Sequence, residues 1–115
     1  KKKKKDSTLM GNTFINYLHM IKPALDKINP KKLHSVRFNL FTQTLKPQKY
    51  LINNYKKNSK ISILFCNNTN GGIEVDNNFI KSTENQLVSF DSNVEYKTVT
   101  STDNKIFTYT IINYD

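Results

Sequence analysis

The sequence predicts an α+β domain, a mixed sheet of about four strands with helices packed on it. Three consecutive stretches indicate this class: residues 33–41 alternate like a strand, residues 44–57 have helical spacing, and residues 61–66 form a short apolar run. Two strands joined through a helix usually lie parallel, with a right-handed crossover between them. We therefore expect the rest of the chain to be organised around this strand–helix–strand unit.

The first strand has one apolar side. Val36, Phe38 and Leu40 alternate with polar residues, so these three side chains share one face of the strand. We expect that face to be the buried one. Residues 61–66, Ile-Ser-Ile-Leu-Phe-Cys, are apolar enough to predict a strand that is largely buried.

The predicted helix between these strands has a start, a face and an end. Thr44 can cap it, and Pro47 is tolerated in a first helical turn. Leu51 and Tyr55 are four residues apart, as on one helix face. The helix would be about 11 residues long and would stop at Asn58-Ser59.

Another helix is predicted over residues 13–28, where apolar residues recur at steps of four and three. They are Phe14, Leu18, Ile21, Leu25 and Ile28. Pro23 interrupts the stripe, which predicts a kink or two helices, and Asn29-Pro30 should end it. We expect this stripe to pack on the domain's own sheet, the alternative being a partner helix.

The C-terminal part predicts an antiparallel hairpin. Residues 94–100 and 106–112 are rich in Thr, Tyr, Val and Ile, and the polar residues 101–105 separate them. Residues 67–92 read as an insertion that covers a sheet edge. It opens with a loop over residues 67–72, and it contains possible short strands at Ile73 and Val75 and at residues 87–90, with Phe79-Ile80 as an anchor.

The length of the chain limits the number of domains, and its net charge indicates the type of partner. The chain has 115 residues, enough for one domain, which we place at residues 8–115 after a basic, disordered tail at residues 1–7. The net charge is +9, and Lys1–Lys5 supplies five of the positive charges. Such a balance favours a polyanionic partner, although the tail is equally well explained as a solvated segment.

The sequence contains no recognisable catalytic or metal motif. Cys66 is the single cysteine, and His19 and His34 have no Cys, Asp or Glu at ligand spacing. The nine acidic residues are scattered singly, and no apolar run reaches the roughly 18–20 residues of a membrane helix. We therefore expect a protein that is not an enzyme, with no cofactor, no metal, no small-molecule substrate and no membrane partner.

The lysines indicate a function more clearly than the cysteine, the histidines or the acidic residues do. Several lysines lie on the predicted central helix and at its end, while two more lysines and Arg37 lie before and within the first strand. With a right-handed crossover, these residues are expected to form one basic surface alongside Tyr50 and Tyr55. The candidate RNA-binding residues are Lys31, Lys32, Arg37, Lys46, Lys49, Lys56, Lys57 and Lys60. With a single arginine in the chain, phosphate contact is favoured over base-specific readout. A solvated lysine-rich surface is the alternative.

The stretch Val36-Arg37-Phe38-Asn39-Leu40-Phe41, followed by Tyr50-Leu51, resembles a family of mitochondrial large-ribosomal-subunit proteins, number fifty-three in the uniform naming. Leu40 stands where that family has a proline. The resemblance implies a thioredoxin-like fold without redox cysteines, and a role as an rRNA- and protein-contacting part of the ribosome. The insertion at residues 67–91 and the lack of a helix after residue 112 depart from the family pattern.

These observations together predict a structural component of a ribonucleoprotein, in the mitochondrial large ribosomal subunit, with rRNA and neighbouring ribosomal proteins as partners and a mitochondrial location. The alternative is a non-enzymatic adaptor that docks a protein partner by strand addition. That docking would use a sheet edge or the 67–92 insertion.

Overall fold

The computed structural model describes residues 19, 21–52 and 56–115, and these form one helix and eight strands. Helix α1 covers residues 21–28. The strands are β1 (Leu33–Thr42), β2 (Lys49–Leu51), β3 (Lys60–Phe65), β4 (Gly72–Val75), β5 (Asn78–Lys81), β6 (Leu87–Asp91), β7 (Tyr96–Val99) and β8 (Ile106–Tyr114).

The strands form two four-stranded sheets. The first sheet has the order β1-β8-β3-β6 and the second has the order β2-β7-β4-β5. Every neighbouring pair is antiparallel. Eight antiparallel strands shared in this order between two facing sheets make a jelly-roll sandwich. The predicted α+β, thioredoxin-like fold with helices on a mixed sheet is therefore wrong.

The predicted central helix is the main source of that error. The chain from Thr44 forms a turn, in which the Thr44 hydroxyl donates to the carbonyl of Lys46 at 2.8 Å, and then enters β2, which pairs with β7. Tyr55 lies outside the described residues. The helical spacing of Leu51 and Tyr55 rested on a single repeat, and the pairing of β2 in a sheet outweighs so weak a local preference.

The two strands flanking that segment exist as predicted, but their relation differs. β1 and β3 run in the same direction, yet β8 lies between them and pairs antiparallel with both. The predicted hairpin is wrong as well, because β7 belongs to the second sheet and β8 to the first. A polar connection of a few residues suits a hairpin and a crossing between sheets equally well, so sequence pattern did not separate the two.

The two sheets enclose an apolar core. This core consists of buried residues from both sheets: Ile61, Ile63, Phe65, Ile73, Tyr96, Phe107, Tyr109 and Ile111. Every second residue of β8 points inward, namely Phe107, Tyr109 and Ile111, as the period-two geometry of a strand requires.

The side of β1 that faces the interior of the sandwich is the reverse of the prediction, and of the predicted face only Val36 packs, half-buried, against the cluster under α1 on the outer side. Phe38 and Leu40 are 47% and 54% exposed, whereas Phe41 stacks on Tyr109 inside the sandwich with ring centroids 5.9 Å apart. Asn39 also points inward and donates to the Tyr109 hydroxyl at 3.2 Å. Alternation specifies that two faces exist but not which of them meets the core.

Helix α1 packs on the outer face of the first sheet. Ile21 and Ala24 of the helix are buried against Leu64, Ile112 and Tyr114. This confirms that the apolar stripe packs on the chain's own sheet, at least for the described helical residues. The helix ends before Asn29, which has a φ of 50°, as its predicted stop at Asn29-Pro30 requires; Phe14 and Leu18, like the predicted tail at residues 1–7, lie outside the described residues.

The predicted insertion is an integral part of both sheets. It supplies β4 and β5 to the second sheet and β6 to the first, so the short strands expected near Ile73 and at residues 87–90 are confirmed. Gly72 permits the close approach of β5, because a Cβ on Gly72 would lie 2.0 Å from the carbonyl oxygen of Ile80. Chain packing accounts for this glycine.

Candidate functional site

Five of the eight predicted RNA-binding residues lie at one end of the first sheet. We call this set the basic rim: Lys31, Lys32, Lys56, Lys57 and Lys60. All five side chains belong to exposed residues. They come from two separate segments, before β1 and before β3, so only the fold brings them together.

The strand register explains why these segments meet. Leu33 at the start of β1 and Lys60 at the start of β3 are both register partners of Tyr114 at the end of β8. Backbone hydrogen bonds fix the first segment to the end of β8: Lys31 donates to the carbonyl of Asp115, and Asp115 donates to the carbonyl of Lys32, both at 2.8 Å. The backbone of Lys31 and Lys32 is therefore held against the end of β8.

A cleft of about 560 Å³ opens beside the basic rim. It contains charged, amide and apolar side chains. Its lining consists of Ile28, Asn29, Lys31, Asn58, Ser59, Lys60, Asp91, Asn93, Tyr114 and Asp115. Two lysines and two carboxylates line it, so the charges inside the cleft balance, and the excess of positive charge lies on its border.

His34, Lys56 and Asp115 form a charged cluster on the border. The carboxylate of Asp115 lies 2.9 Å from His34 Nε2 and 3.7 Å from Lys56 Nζ. The hydrogen bond from His34, followed by the charges of His34 and Lys56, holds the pKa of Asp115 below its usual value. One acidic group is thus kept ionised next to the lysines, and it contacts the ammonium group of Lys56.

A pair of hydrogen-bonded amides lines the cleft. Asn93 Nδ2 donates to Asn58 Oδ1 at 3.0 Å, and the Asn58 backbone donates to Asn93 Oδ1 at 3.2 Å. The Asn93 backbone in turn donates to Asp91 Oδ1 at 2.8 Å. Asn58 has a φ of 59°, a left-handed conformation that asparagine tolerates better than most residues. These contacts fix the turn that leads Lys56 and Lys57 into β3.

The other three predicted residues lie elsewhere, so the predicted single basic surface is wrong in its extent. Lys46 is in the loop after β1, at the opposite end of the sandwich. Lys49 is on the outer face of the second sheet, where its Nζ lies 2.9 Å from a carboxylate oxygen of Glu74. This hydrogen bond is the main reason that the pKa of Glu74 is lowered.

Arg37 lies inside the sandwich. Burial raises the pKa of the Tyr96 hydroxyl to about 12, and the positive charge of the nearby Arg37 opposes that rise. Next to it the hydroxyls of Tyr109 and Thr98 are 2.5 Å apart. Sequence reasoning missed this polar side of the interior; the signal was the Arg37 and Asn39 pair, which alternates with the apolar residues of β1.

Three carboxylates of the second sheet lie at the same end of the sandwich as the basic rim. Glu74, Asp76 and Glu95 lie close together there, around Asn77 and Lys97. Two of these carboxylates are paired with lysines of the same sheet, Glu74 with Lys49 and Glu95 with Lys97. The excess of positive charge at this end therefore lies toward the first sheet, where a polyanion would be attracted.

The described residues offer little for covalent or metal chemistry. Among them, no group of three or more His, Cys, Asp and Glu side chains is close enough to hold a metal ion. Burial raises the pKa of the Cys66 thiol, which disfavours the reactive thiolate. Asn67 of the sequence Asn67-Asn68-Thr69 donates from its side chain to the carbonyl of Ile106 at 2.9 Å, so this amide is engaged within the fold. Within the part of the chain that the structure describes, no helix is long and apolar enough to span a membrane.

Comparison with known proteins bears on the fold alone. No protein-family description matches the sequence, and no curated protein matches it. Among solved structures, the chain is similar to a cupin protein from Bacteroides fragilis, with a TM-score of 0.54 and 11% sequence identity over 79% of this chain and 72% of that chain. The similarity supports the antiparallel sandwich and overturns the predicted thioredoxin-like arrangement.

Proposed function

We propose that the protein is a non-enzymatic, RNA-contacting component of a ribonucleoprotein, and that the basic rim neutralises RNA phosphates. One observation carries this proposal: five exposed lysines from two separate segments meet at one end of the first sheet. Gathering like charges costs free energy in the absence of a counter-charge. A bound polyanion offsets that cost and gains further by releasing its counterions.

The type of residue favours phosphate over base recognition. All five members of the basic rim are lysines, which act as point charges, and the single arginine lies inside the sandwich. Bidentate base recognition usually depends on arginine. Contact with RNA should therefore depend strongly on salt and little on sequence.

A place in the mitochondrial large ribosomal subunit, with rRNA and neighbouring ribosomal proteins as partners, is a narrower proposal. Its support is the short resemblance of residues 36–41 and 50–51 to the ribosomal family named above. The fold that the resemblance implies is not the fold of this chain. The broader proposal, RNA phosphate contact, does not depend on this resemblance.

Exchange of lysines at the two ends of the molecule tests the proposal. Lys56→Gln with Lys57→Gln removes two charges from the basic rim, and Lys46→Gln with Lys105→Gln removes two exposed charges from the opposite end. Binding of a single-stranded RNA oligonucleotide is measured by fluorescence anisotropy over a range of salt concentrations. For the rim variant, we expect the slope of log K against log salt to become shallower by roughly 1.4, because each lost phosphate contact removes about 0.7.

The matched variant at the opposite end should keep the affinity and slope of the original protein. Equal losses in both variants would show that the lysines act only through net charge. Absence of RNA binding by the original protein at low salt would refute the proposal.

A protein adaptor is the second candidate, and one observation favours it. Residues 67–92 supply both strands at one side of the sandwich, β5 at the edge of the second sheet and β6 at the edge of the first. Phe79 on β5 is 50% exposed. An incoming strand could pair with β5 and cover Phe79. Such binding would be insensitive to salt, which separates it from the first proposal.

A further inference from the structure

We propose that the cleft beside the basic rim holds one ribonucleoside of a single-stranded RNA, while the rim lysines hold the adjacent phosphates. This inference rests on the proposed function and adds the form of RNA that is bound. It makes two claims that phosphate contact alone does not make. Single strands are preferred to duplexes, and RNA is preferred to DNA.

The shape of the cleft supports the first claim. Its volume of about 560 Å³ lies in the range of roughly 300–1,000 Å³ that small-molecule sites occupy. A nucleoside that is free to leave its stack can enter a concave site of this size. The convex surface of a duplex cannot enter, and its bases are paired and stacked.

The balance of charge inside the cleft supports a sugar and base rather than a phosphate as its occupant. Lys31 and Lys60 line the cleft, but so do Asp91 and Asp115. A phosphate placed between these side chains would meet two carboxylates. Lys32, Lys56 and Lys57 stand outside the lining, where phosphates on either side of the inserted nucleoside would pass.

Asp91 is the residue that would distinguish RNA from DNA. The Asp115 carboxylate is already engaged with His34 and Lys56. Asp91 accepts a hydrogen bond from the Asn93 backbone at one carboxylate oxygen, and a carboxylate has several acceptor positions. A ribose 2′-hydroxyl can donate to Asp91, and deoxyribose lacks that donor.

The remaining walls suit a base. The half-buried Ile28 gives most of the apolar wall; Tyr114, which is 6% exposed, adds a small part of it, and its ring is fixed by a hydrogen bond between its hydroxyl and Ser62 Oγ at 2.8 Å. The paired amides of Asn58 and Asn93 lie across the cleft. The apolar wall offers a surface for the face of a base, and the amides offer hydrogen bonds to its edge without selecting one base.

The test compares three 12-nucleotide ligands on the full chain by fluorescence anisotropy: oligo-uridine RNA, oligo-deoxyuridine DNA and an RNA duplex. The original protein should bind the single-stranded RNA about tenfold more tightly than the DNA, the worth of one hydrogen bond to a charged group. In Asp91→Asn, which keeps the shape and removes the anionic acceptor, this ratio should fall toward one. Asp26→Asn, an exposed acidic position on α1, is the matched control and should leave the ratio unchanged.

The possible outcomes separate the two proposals. Equal binding of RNA, DNA and duplex, lost in the Lys56→Gln and Lys57→Gln variant, would overturn the nucleoside site and leave phosphate contact standing. An RNA preference that Asp91→Asn does not reduce would also overturn the assignment of Asp91 and its cleft. Failure to bind any of the three ligands would refute both proposals. Circular dichroism of each variant establishes that the fold is kept, and Asp91→Ala, which also removes the acceptor and should lower the ratio in the same way, serves as a second variant if Asp91→Asn is not folded.

Discussion

The two ends of the sandwich are built in opposite ways. At the end opposite the basic rim, the loops at residues 43–48, 66–71 and 100–105 are joined by hydrogen bonds of amide, hydroxyl and backbone groups, two of which the Asp103 carboxylate accepts. We call this the closed end. At the rim, lysines and carboxylates surround an open cleft. The difference teaches that a cluster of lysines is not needed to close a jelly roll, since the other end closes without one.

Asn70 shows how the closed end is held. Its side-chain oxygen accepts from the Thr102 backbone at 2.9 Å, its amide donates to Thr102 Oγ1 at 2.7 Å, and its backbone donates to an Asp103 carboxylate oxygen at 3.0 Å. Nearby, Thr44 Oγ1 and Thr100 Oγ1 are 2.6 Å apart. These contacts join loops that lie far apart in sequence.

The larger of two expected effects on stability comes from Asn70→Ala. It removes both side-chain hydrogen bonds to Thr102, which lie at exposed positions, and should lower the free energy of unfolding by about 0.5–1.5 kcal/mol. Urea denaturation measures the loss. Gln86→Ala, a change at an exposed position, is the control and should stay within about 0.5 kcal/mol of the original protein.

RNA binding by Asn70→Ala should be unchanged at temperatures where the variant is folded. A loss of binding as large as that of the rim variant would contradict the separation of the two ends. Unchanged stability would show that the loop contacts do not hold the closed end.

The smaller effect concerns pH. Hydrogen bonds from the Asn70 backbone and the Ser101 hydroxyl lower the pKa of Asp103 in the folded protein. The carboxylate therefore stabilises the fold above the unfolded carboxyl pKa of about 4, and this contribution is lost as the pH falls through the lower folded value. The melting temperature between pH 6 and pH 3 should fall less steeply in Asp103→Asn than in the original protein.

Ser101→Ala removes one of the hydrogen bonds to Asp103, at 2.9 Å, and should give an intermediate slope. The expected changes are small, because Asp103 is exposed to solvent and water screens its interactions. A steeper fall in Asp103→Asn than in the original protein would mean that the sign of this argument is wrong.

Part of the fold was predictable from local pattern. The strands β1, β3 and β8 were located because period-two alternation and runs of β-branched residues persist over six or more residues. The stop of α1 at Asn29-Pro30 was equally local. In each case the signal lies within the element itself, so no knowledge of its partner was needed.

The arrangement of the strands was not predictable in the same way. β2 has three residues and owes its conformation to pairing with β7. The pairing of β8 with β1 joins residues that are about 70 positions apart, such as Asn39 and Tyr109. Such partners are specified by the packed sandwich as a whole, and alternation alone did not reveal that Phe41 rather than Phe38 faces inward.

The sequence showed which segments are rich in lysine, but it did not show which of these segments meet in the fold. The lysines near residues 31 and 56 were correctly identified as basic segments, and only the register at Tyr114 shows that they meet. Lys49 could not be excluded beforehand because its partner Glu74 is 25 positions away. The cleft depends on Asp91 and Asn93, which the insertion supplies and which no motif indicated.

Mapping of the bound RNA by amide chemical shifts tests the central claim most directly. The ¹⁵N-labelled chain is titrated with single-stranded oligo-uridine RNA at low salt. The account predicts that the largest shifts occur at residues 31–32, 56–60 and 91–93, and that residues 43–48 and 101–105 stay unperturbed. Shifts concentrated at the closed end, or on the edge strand β5, would contradict it.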